Sequence, residues 1–160
     1  MKNYTLIFLV KKDENKITEI CLAMKKRGLG VDKWNGAGGK PNEGESFEEC
    51  AIRETKEEIG VDIISMHQIS EMYFKTNNSS DWNEHVKAYI CEKWEGEVSE
   101  SEEMKPKWFK VSDIPYSMMW PEAITWLPKA LEGKIQECRF IYDNSDKLLS
   151  FDVKEVSSFL

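Results

Sequence analysis

The sequence has few histidines, no closely spaced cysteine pair and no long apolar run, and each of these gaps excludes a class of protein. Its two histidines and four scattered cysteines argue against a zinc site or a disulfide framework. We therefore expect Cys21, Cys50, Cys91 and Cys138 to be buried free thiols in a reducing compartment, which favours a cytoplasmic protein. The apolar run near the N-terminus, about seven residues long, is too short to span a membrane.

The chain also lacks an excess of positive charge. It carries 22 Lys and Arg residues against 29 Asp and Glu residues, a net charge of -7. Proteins that bind nucleic-acid polymers usually present a basic face, so we do not expect such a polymer as the main partner. A small anionic ligand is compatible with this charge when metal ions or a local basic patch supply positive charge. The 160 residues and the ordinary globular composition predict one domain, residues 1–160.

Local patterns predict a mixed α/β (α+β) fold in which helices cover a mixed β-sheet. The density of glycines at residues 25–44 predicts a loop with a short strand inside it. The first two predicted strands are expected to form a hairpin. Apolar patterns predict strands at 4–10, 17–24, 63–74, 85–94, 108–111, 137–142 and 148–153, and helical signals predict helices at 46–59 and 122–131.

The predicted helix at 46–59 has clear start and stop signals. Ser46 followed by Glu49 is typical of a capping box, and Gly60 suits a left-handed C-cap. A helical wheel, with about 100° per residue, then predicts one apolar stripe that faces the core. The residues expected on this stripe are Ala51, Ile52, Thr55 and Ile59.

Three carboxylates of the same helix, Glu54, Glu57 and Glu58, share an arc of roughly 100° at the border of this stripe. Like charges placed in this way repel, and partial burial raises the cost, so a divalent cation would stabilise the cluster. Hard oxygen ligands suit magnesium, with manganese as the alternative. Taken alone, the helix is explained more simply as a solvated acidic face, with Arg53 and Lys56 as surface ion-pair partners.

The loop before the helix favours the metal site. Gly38-Gly39-Lys40 precedes the acidic helix directly, and glycine lets a backbone amide or carbonyl approach a metal or phosphate closely. Starting at Gly39, the chain reads G-x5-E-x7-R-E-x2-E-E-x-G-V, and this spacing resembles the Nudix box. Thr55 stands where a bulky aliphatic residue is more common in that family.

This resemblance implies a Nudix-type α/β/α sandwich and an enzyme that hydrolyses a nucleoside diphosphate linked to another group. It also implies a metal ion, Mg2+ or Mn2+, held by the Gly38 carbonyl and by Glu54, Glu57 and Glu58. Arg53 is implied to orient the glutamates through charge-assisted pairs. The residues alone do not assign the general base.

Three further segments, residues 24–40, 100–109 and 114–128, resemble the MutT-type oxidised-purine nucleoside triphosphatases (8-oxo-dGTPases), especially their animal form. This wider resemblance implies a pyrophosphohydrolase that releases a nucleoside monophosphate and pyrophosphate. It implies Glu103 as a further metal ligand, a choice that the residues alone leave open among three neighbouring glutamates. The residues implied for substrate binding are Thr5, Lys25, Asn35, Gly38, Gly39, Lys40, Phe74, Trp120 and Glu122.

Within the implied pocket, Trp120 offers a stacking surface and the Asn35 amide both donates and accepts hydrogen bonds. Two features depart from the family: its adjacent pair of aspartates is replaced by Glu122 and Ala123, and Leu29 replaces an aromatic residue. Because the paired acids help to read an oxidised purine, an unmodified nucleotide, ADP-ribose or a dinucleoside polyphosphate stays open as substrate. A nucleotide-binding regulator without turnover is the non-enzymatic alternative, and the retained glutamates argue against it. The sequence leaves monomer and homodimer open.

Overall fold

In the computed structural model, which describes residues 1–159, eight strands form one mixed sheet and one α-helix lies on each of its faces. This confirms the mixed fold class predicted from the sequence. The strands are β1 (Lys2–Asp13), β2 (Lys16–Lys25), β3 (Trp34–Asn35), β4 (Asp62–Thr76), β5 (Glu84–Glu95), β6 (Met104–Lys110), β7 (Ile135–Tyr142) and β8 (Leu148–Val156), and the helices are α1 (Phe47–Ile59) and α2 (Ala123–Leu131).

The sheet has the strand order β3-β2-β1-β5-β4-β7-β8, and β6 also pairs with β2. The predicted hairpin of β1 and β2 is confirmed. Two pairs, β1 with β5 and β4 with β7, are parallel, and the other pairs are antiparallel. The order leaves β1 and β5 inside the sheet, where the chain can be covered on both faces.

Strand β1 contributes to two separate cores because successive side chains of a strand point to opposite faces. Phe8 and Val10 pack in the cluster below α2, whereas Ile7 and Leu9 pack in the cluster below α1. This explains why residues 7–10 form a continuous apolar run, the pattern of a strand that is buried on both faces.

Some boundaries differ from the sequence prediction. Strand β6 begins at Met104, four residues before the predicted strand at 108–111, and Val111 belongs to a short 3-10 helix instead. Pro106 and the charged residues around it hide the start of this strand, but β6 pairs only with β2, and proline is tolerated on an edge strand. Helix α2 begins at Ala123, so Glu122 stands just before it.

The end signals of α1 are confirmed. The Ser46 hydroxyl accepts the backbone N–H of Glu49 at 3.0 Å, and the Glu49 carboxylate accepts the backbone N–H of Ser46 at 3.1 Å. Gly60 ends the helix with a φ of 80°, which favours glycine. These caps fix where the helix starts and stops, and therefore how its acidic residues meet the loop before it.

The predicted core-facing stripe of α1 is wrong at Ile52, whose exposed fraction is 44%. Cys50 is buried instead, because the glycine loop covers that side and the Cys50 thiol approaches the Gly39 carbonyl at 3.5 Å. The buried arc is therefore rotated towards Glu58, which lies inside it with an exposed fraction of 5%. One of the three glutamates is thus placed within the core-facing arc.

The four cysteines are buried and free, as expected. Within residues 1–159, no helix combines the length and the apolar character needed to cross a membrane.

Candidate active site

The glycine loop lies directly against β1, backbone to backbone. The N–H of Thr5 donates to the Gly39 carbonyl at 2.8 Å, and the N–H of Ile7 donates to the Ala37 carbonyl at 2.7 Å. A Cβ at Gly38 would lie 2.0 Å from the Thr5 carbonyl oxygen, and its φ of 143° also suits glycine alone. This position therefore needs glycine for its close approach to the backbone of β1; the predicted approach to a metal or phosphate stays a prediction.

The same loop contacts two of the three glutamates. The N–H of Gly38 donates to Glu58 Oε1 at 2.7 Å. A Cβ at Gly39 would lie 2.6 Å from the carboxyl carbon of Glu54, so this carboxylate packs directly on the loop backbone. The absence of side chains at both glycines is what lets the carboxylates reach the loop.

Arg53 joins the loop to the acidic helix. Its guanidinium donates to both oxygens of Glu45 at 2.8 Å, to Glu54 Oε1 at 2.9 Å and to Glu57 Oε2 at 3.2 Å. Two-pronged pairing of this kind fixes orientation as well as charge. Arg53 holds the pKa of Glu45 well below its usual range, at about 2. Arg53 thus contacts two of the three glutamates, and Glu57, with 58% of its side chain exposed, is the most open of the three.

Burial dominates the electrostatics of the buried glutamates. It raises the pKa of Glu58 to about 7, the Gly38 N–H lowers it, and the negative charges of Glu54 and Glu103 raise it again. Burial also raises the pKa of Glu54, whereas Arg53 lowers it. These side chains therefore carry charge only at a cost, and a nearby cation would remove that cost.

The donor set fits a divalent cation bound in an open site. Within residues 1–159, no three acidic, histidine or cysteine side chains are grouped closely enough to hold a metal ion by themselves. Magnesium keeps several waters and uses one or two carboxylates together with substrate phosphates, so it does not require such a group of side chains. Glu54, Glu58 and Glu103 are close enough to repel one another, and a cation bound between them would relieve this repulsion.

The acidic loop before β6 contains the three candidate glutamates, Glu100, Glu102 and Glu103, and their surroundings differ. Glu100 pairs with Lys26. Glu102 and Glu103 line a small cavity of about 310 Å³ together with Glu57 and Glu58. Of the three, Glu103 also lines the main cavity of the protein. The geometry thus distinguishes Glu103 from its neighbours, a distinction that the loop sequence does not make.

That main cavity has a volume of about 1090 Å³ and brings most of the predicted site residues together. Arg53 and Glu57 do not line it, whereas Leu29 does. It is also lined by five lysines, in a protein whose net charge is -7. The predicted residues on its wall are Thr5, Lys25, Asn35, Gly38, Gly39, Lys40, Glu54, Glu58, Phe74, Glu103, Trp120 and Glu122.

Several of these side chains have partners that limit what they can offer a ligand. Asn35 Oδ1 accepts the N–H of Gly36 at 2.8 Å, so its NH2 group is the part left to donate. Thr5 is buried, and its hydroxyl lies 3.3 Å from the Gly39 carbonyl, beneath the glycine loop. The Lys33 ammonium lies 5.1 Å from the centre of the Trp120 ring, a cation–π contact.

Glu122 and Ala123, the two residues that replace the family's adjacent aspartates, lie in different environments. Glu122 lines the cavity, and its carboxylate accepts the hydroxyl proton of Tyr142. Ala123 is buried in the apolar core and gives the cavity no polar group. Tyr142, which the sequence analysis did not single out, ends β7, and its only sequence signal was its place before a polar turn. Lys33, another residue missed from sequence, also lines the cavity.

The family model for the NUDIX domain matches residues 3–130. The chain belongs to the Nudix family and is a Nudix hydrolase, a family whose members use divalent metal ions. It is 35% identical over 156 residues to the "Oxidized purine nucleoside triphosphate hydrolase" of Mus musculus, covering 98% of this chain and 96% of that protein. The protein of the same name from Danio rerio is 36% identical over 155 residues, covering 97% and 96%. The fold is similar to a MutT protein from Bacillus halodurans, with a TM-score of 0.79, 22% identity and coverage of 96% and 97%.

Proposed function

We propose that this Nudix hydrolase cleaves purine nucleoside triphosphates to the nucleoside monophosphate and pyrophosphate, with oxidised purines among its preferred bases. The observation that carries the proposal is the shared cavity. Glu54, Glu58 and Glu103 line it together with Asn35 and Trp120, so phosphate-handling and base-handling groups face one space. The similarity to the mouse and zebrafish hydrolases over nearly the whole chain supports the same substrate class.

The residues of the chain support distinct roles in this reaction. Lys25 and Lys40 line the cavity and supply positive charge to the triphosphate. Trp120 presents an aromatic surface for stacking, and the Asn35 NH2 group donates to an acceptor on the base edge. Arg53 does not line the cavity, so we assign it to positioning Glu54.

We propose Mg2+, or Mn2+ in its place, as the metal ion, with Gly38, Glu54, Glu57, Glu58 and Glu103 as the groups that hold it. A bound divalent ion would neutralise phosphate charge and lower the pKa of the attacking water. Arg53 and the Gly38 N–H donate hydrogen bonds to three of these carboxylates, Glu54, Glu57 and Glu58, and so limit their orientations. We also propose a cytoplasmic location, which the four buried free thiols support.

A hydrolysis panel in the presence of magnesium tests this proposal. It contains 8-oxo-dGTP, 2-hydroxy-dATP, dGTP, ADP-ribose and diadenosine polyphosphates, with products separated by ion-exchange chromatography. We expect monophosphate and pyrophosphate from 8-oxo-dGTP, with kcat/KM at least about tenfold above that for dGTP. Equal values for the two would refute the preference for oxidised bases, and release of single phosphates would refute pyrophosphohydrolysis.

Glu57→Gln provides the matched inactive variant. Glu57 is exposed and contacts only the Arg53 guanidinium among the hydrogen bonds of the described residues, so the isosteric change should leave folding intact. We expect it to lose most of kcat, because it removes a charge from the proposed metal site. Near-normal turnover with an unchanged melting temperature would show that the metal lies elsewhere.

One observation favours a second candidate. Because Ala123 is buried in the core, a single carboxylate, Glu122, faces the cavity from this segment. A Nudix hydrolase of another nucleoside diphosphate derivative, such as ADP-ribose, would not need a paired acid to read an oxidised base. Faster cleavage of ADP-ribose than of every triphosphate in the same panel would establish this candidate over the first.

A further inference from the structure

Tyr142 makes two hydrogen bonds to one residue of the cavity. Its hydroxyl donates to Glu122 Oε2 and accepts the backbone N–H of Glu122 at 3.2 Å. A tyrosine hydroxyl has a single proton, so donation to Oε2 commits that proton and leaves the oxygen as the acceptor for the N–H. The Tyr142 hydroxyl, which lies on β7, thus bonds both the carboxylate and the backbone N–H of Glu122.

The ring of Tyr142 contacts two aromatic residues of the same cavity. It lies edge-on to Trp120, with centroids 6.5 Å apart and planes at 87°, and nearly parallel to Phe74 at 6.4 Å. Tyr142 itself lines the cavity. The Tyr142 side chain therefore connects β7 with β4 and with the segment before α2. It contacts Phe74, Trp120 and Glu122, the residues of those two elements that were predicted to bind the base.

We propose that Tyr142 is a positioning residue for base selection: its hydroxyl holds Glu122 so that Oε1 meets a hydrogen-bond donor on the base, while its ring sets the angle of Trp120. The inference rests on the proposed function. Ala123 offers no polar group to the cavity, so Glu122 is the one acid that this segment presents there. The inference assigns to the Tyr142 hydroxyl the role of fixing that acid.

The physical reason is the free-energy cost of a mobile, half-buried acid. Desolvation raises the pKa of Glu122 and the hydrogen bond from the Tyr142 hydroxyl lowers it, so this bond favours the ionised form of Glu122 that accepts from a ligand. Glu84 and Lys33 also act on it, the first raising and the second lowering its pKa. Without the Tyr142 hydroxyl, the carboxyl group can take up a proton or turn away, and in both cases it no longer favours a guanine, whose N1–H is a donor, over an adenine, whose N1 is an acceptor.

The test compares Tyr142→Phe, which keeps the ring and removes the hydroxyl, with Tyr116→Phe as the control. Tyr116 is half-buried beside the same apolar core but does not line the cavity. We expect Tyr142→Phe to lower the ratio of kcat/KM for 8-oxo-dGTP over dATP by about tenfold, the effect of one hydrogen bond to a charged group. The loss should lie in KM, with kcat at saturation nearly unchanged, and Tyr116→Phe should leave the ratio as in the wild type.

A double-mutant cycle with Glu122→Gln asks whether Tyr142 acts through Glu122. We expect Tyr142→Phe to change the ratio little in the Glu122→Gln background, because the two residues act as one unit. Additive effects, or an unchanged ratio in Tyr142→Phe alone, would overturn the inference. A melting temperature near that of the wild type excludes loss of folding as the cause.

Calorimetric binding of 8-oxo-dGMP and dAMP to the same variants separates this inference from the proposed function. These monophosphates report base selection without turnover. A wild-type protein that cleaves none of the triphosphates would refute the proposed function, yet the binding ratio would still support or overturn the role of Tyr142.

Discussion

Gly39→Ala isolates the contact between the glycine loop and the acidic helix. The backbone of Gly39 does not lie in the left-handed region, so alanine adds no backbone strain there. The new methyl group would lie 2.6 Å from the carboxyl carbon of Glu54, whereas ordinary contacts begin at 3.4 Å. The obstacle is the end of a flexible side chain, so the carboxylate rather than the fold should give way.

The size of the effect follows from these distances. The Glu54 carboxylate has to move by about 0.8 Å to restore an ordinary contact. A misplacement of about 1 Å in a reacting site can cost on the order of 10²-fold in rate, so we expect kcat to fall by nearly that factor. Turning the side chain from its preferred rotamer costs about 1 kcal/mol, or a melting temperature about 2–4 °C lower.

Gly44→Ala is the matched control in the same loop. A Cβ at Gly44 meets nothing within 4 Å, but its φ of 78° strains any side chain. We expect it to cost about 1–2 kcal/mol of stability and to leave kcat within about twofold of the wild type. Steady-state kinetics and thermal unfolding of both variants give the comparison. If Gly39→Ala retained full activity, or if it lost activity only by unfolding, the contact with Glu54 would not be part of the site.

Three further predictions use other contacts of α1. Arg53→Lys should lower metal affinity by about 10–100-fold, because an ammonium cannot pair with both oxygens of Glu45 and with Glu54 Oε1 at once; metal titration checks this, and normal affinity would contradict it. Burial raises the pKa of Glu58 in the folded state from 4.5 to about 7, so the folded state binds this proton more tightly than the unfolded state does. The free energy of unfolding of the metal-free protein should therefore fall by about 3 kcal/mol as the pH rises through that range. Thermal unfolding between these pH values measures this, and Glu58→Gln should reduce the pH dependence by the contribution of Glu58. Thr55→Val should keep activity and change stability by less than about 1 kcal/mol, because the Thr55 hydroxyl only adds a second bond to the Ala51 carbonyl; a larger change in melting temperature would show that the hydroxyl has another role.

The sequence predicted α1 and its caps well because those signals are local. Ser46, Glu49 and Gly60 act on backbone groups within four residues, so their geometry follows from spacing alone. The start of β6 was missed for the opposite reason. Its pairing with β2 is made across about eighty to ninety residues, and the local signal of Pro106 argues against a strand.

The error at Ile52 has a different cause. A helical wheel finds the apolar arc but not what covers its edges, and here the glycine loop covers Cys50 and turns the buried arc towards Glu58. This rotation changes the chemistry expected of the glutamates. Instead of three equivalent carboxylates, the helix presents a buried one, Glu58, and two that pair with Arg53, of which Glu54 is half-buried and Glu57 is exposed.

The pocket was harder to predict than the acidic helix because its contacts join distant elements. Glu122 and Tyr142 are twenty residues apart, on different elements, and no spacing rule connects a residue before a helix with the last residue of a strand. The resemblance named the position of Glu122 but not the group that holds it. Judged by charge alone, Glu122 is one carboxylate where the resembling family has two. With the Tyr142 hydroxyl bonded to it, the same residue is a fixed acceptor, and its effect on base choice has to be sought in the pair rather than in either residue.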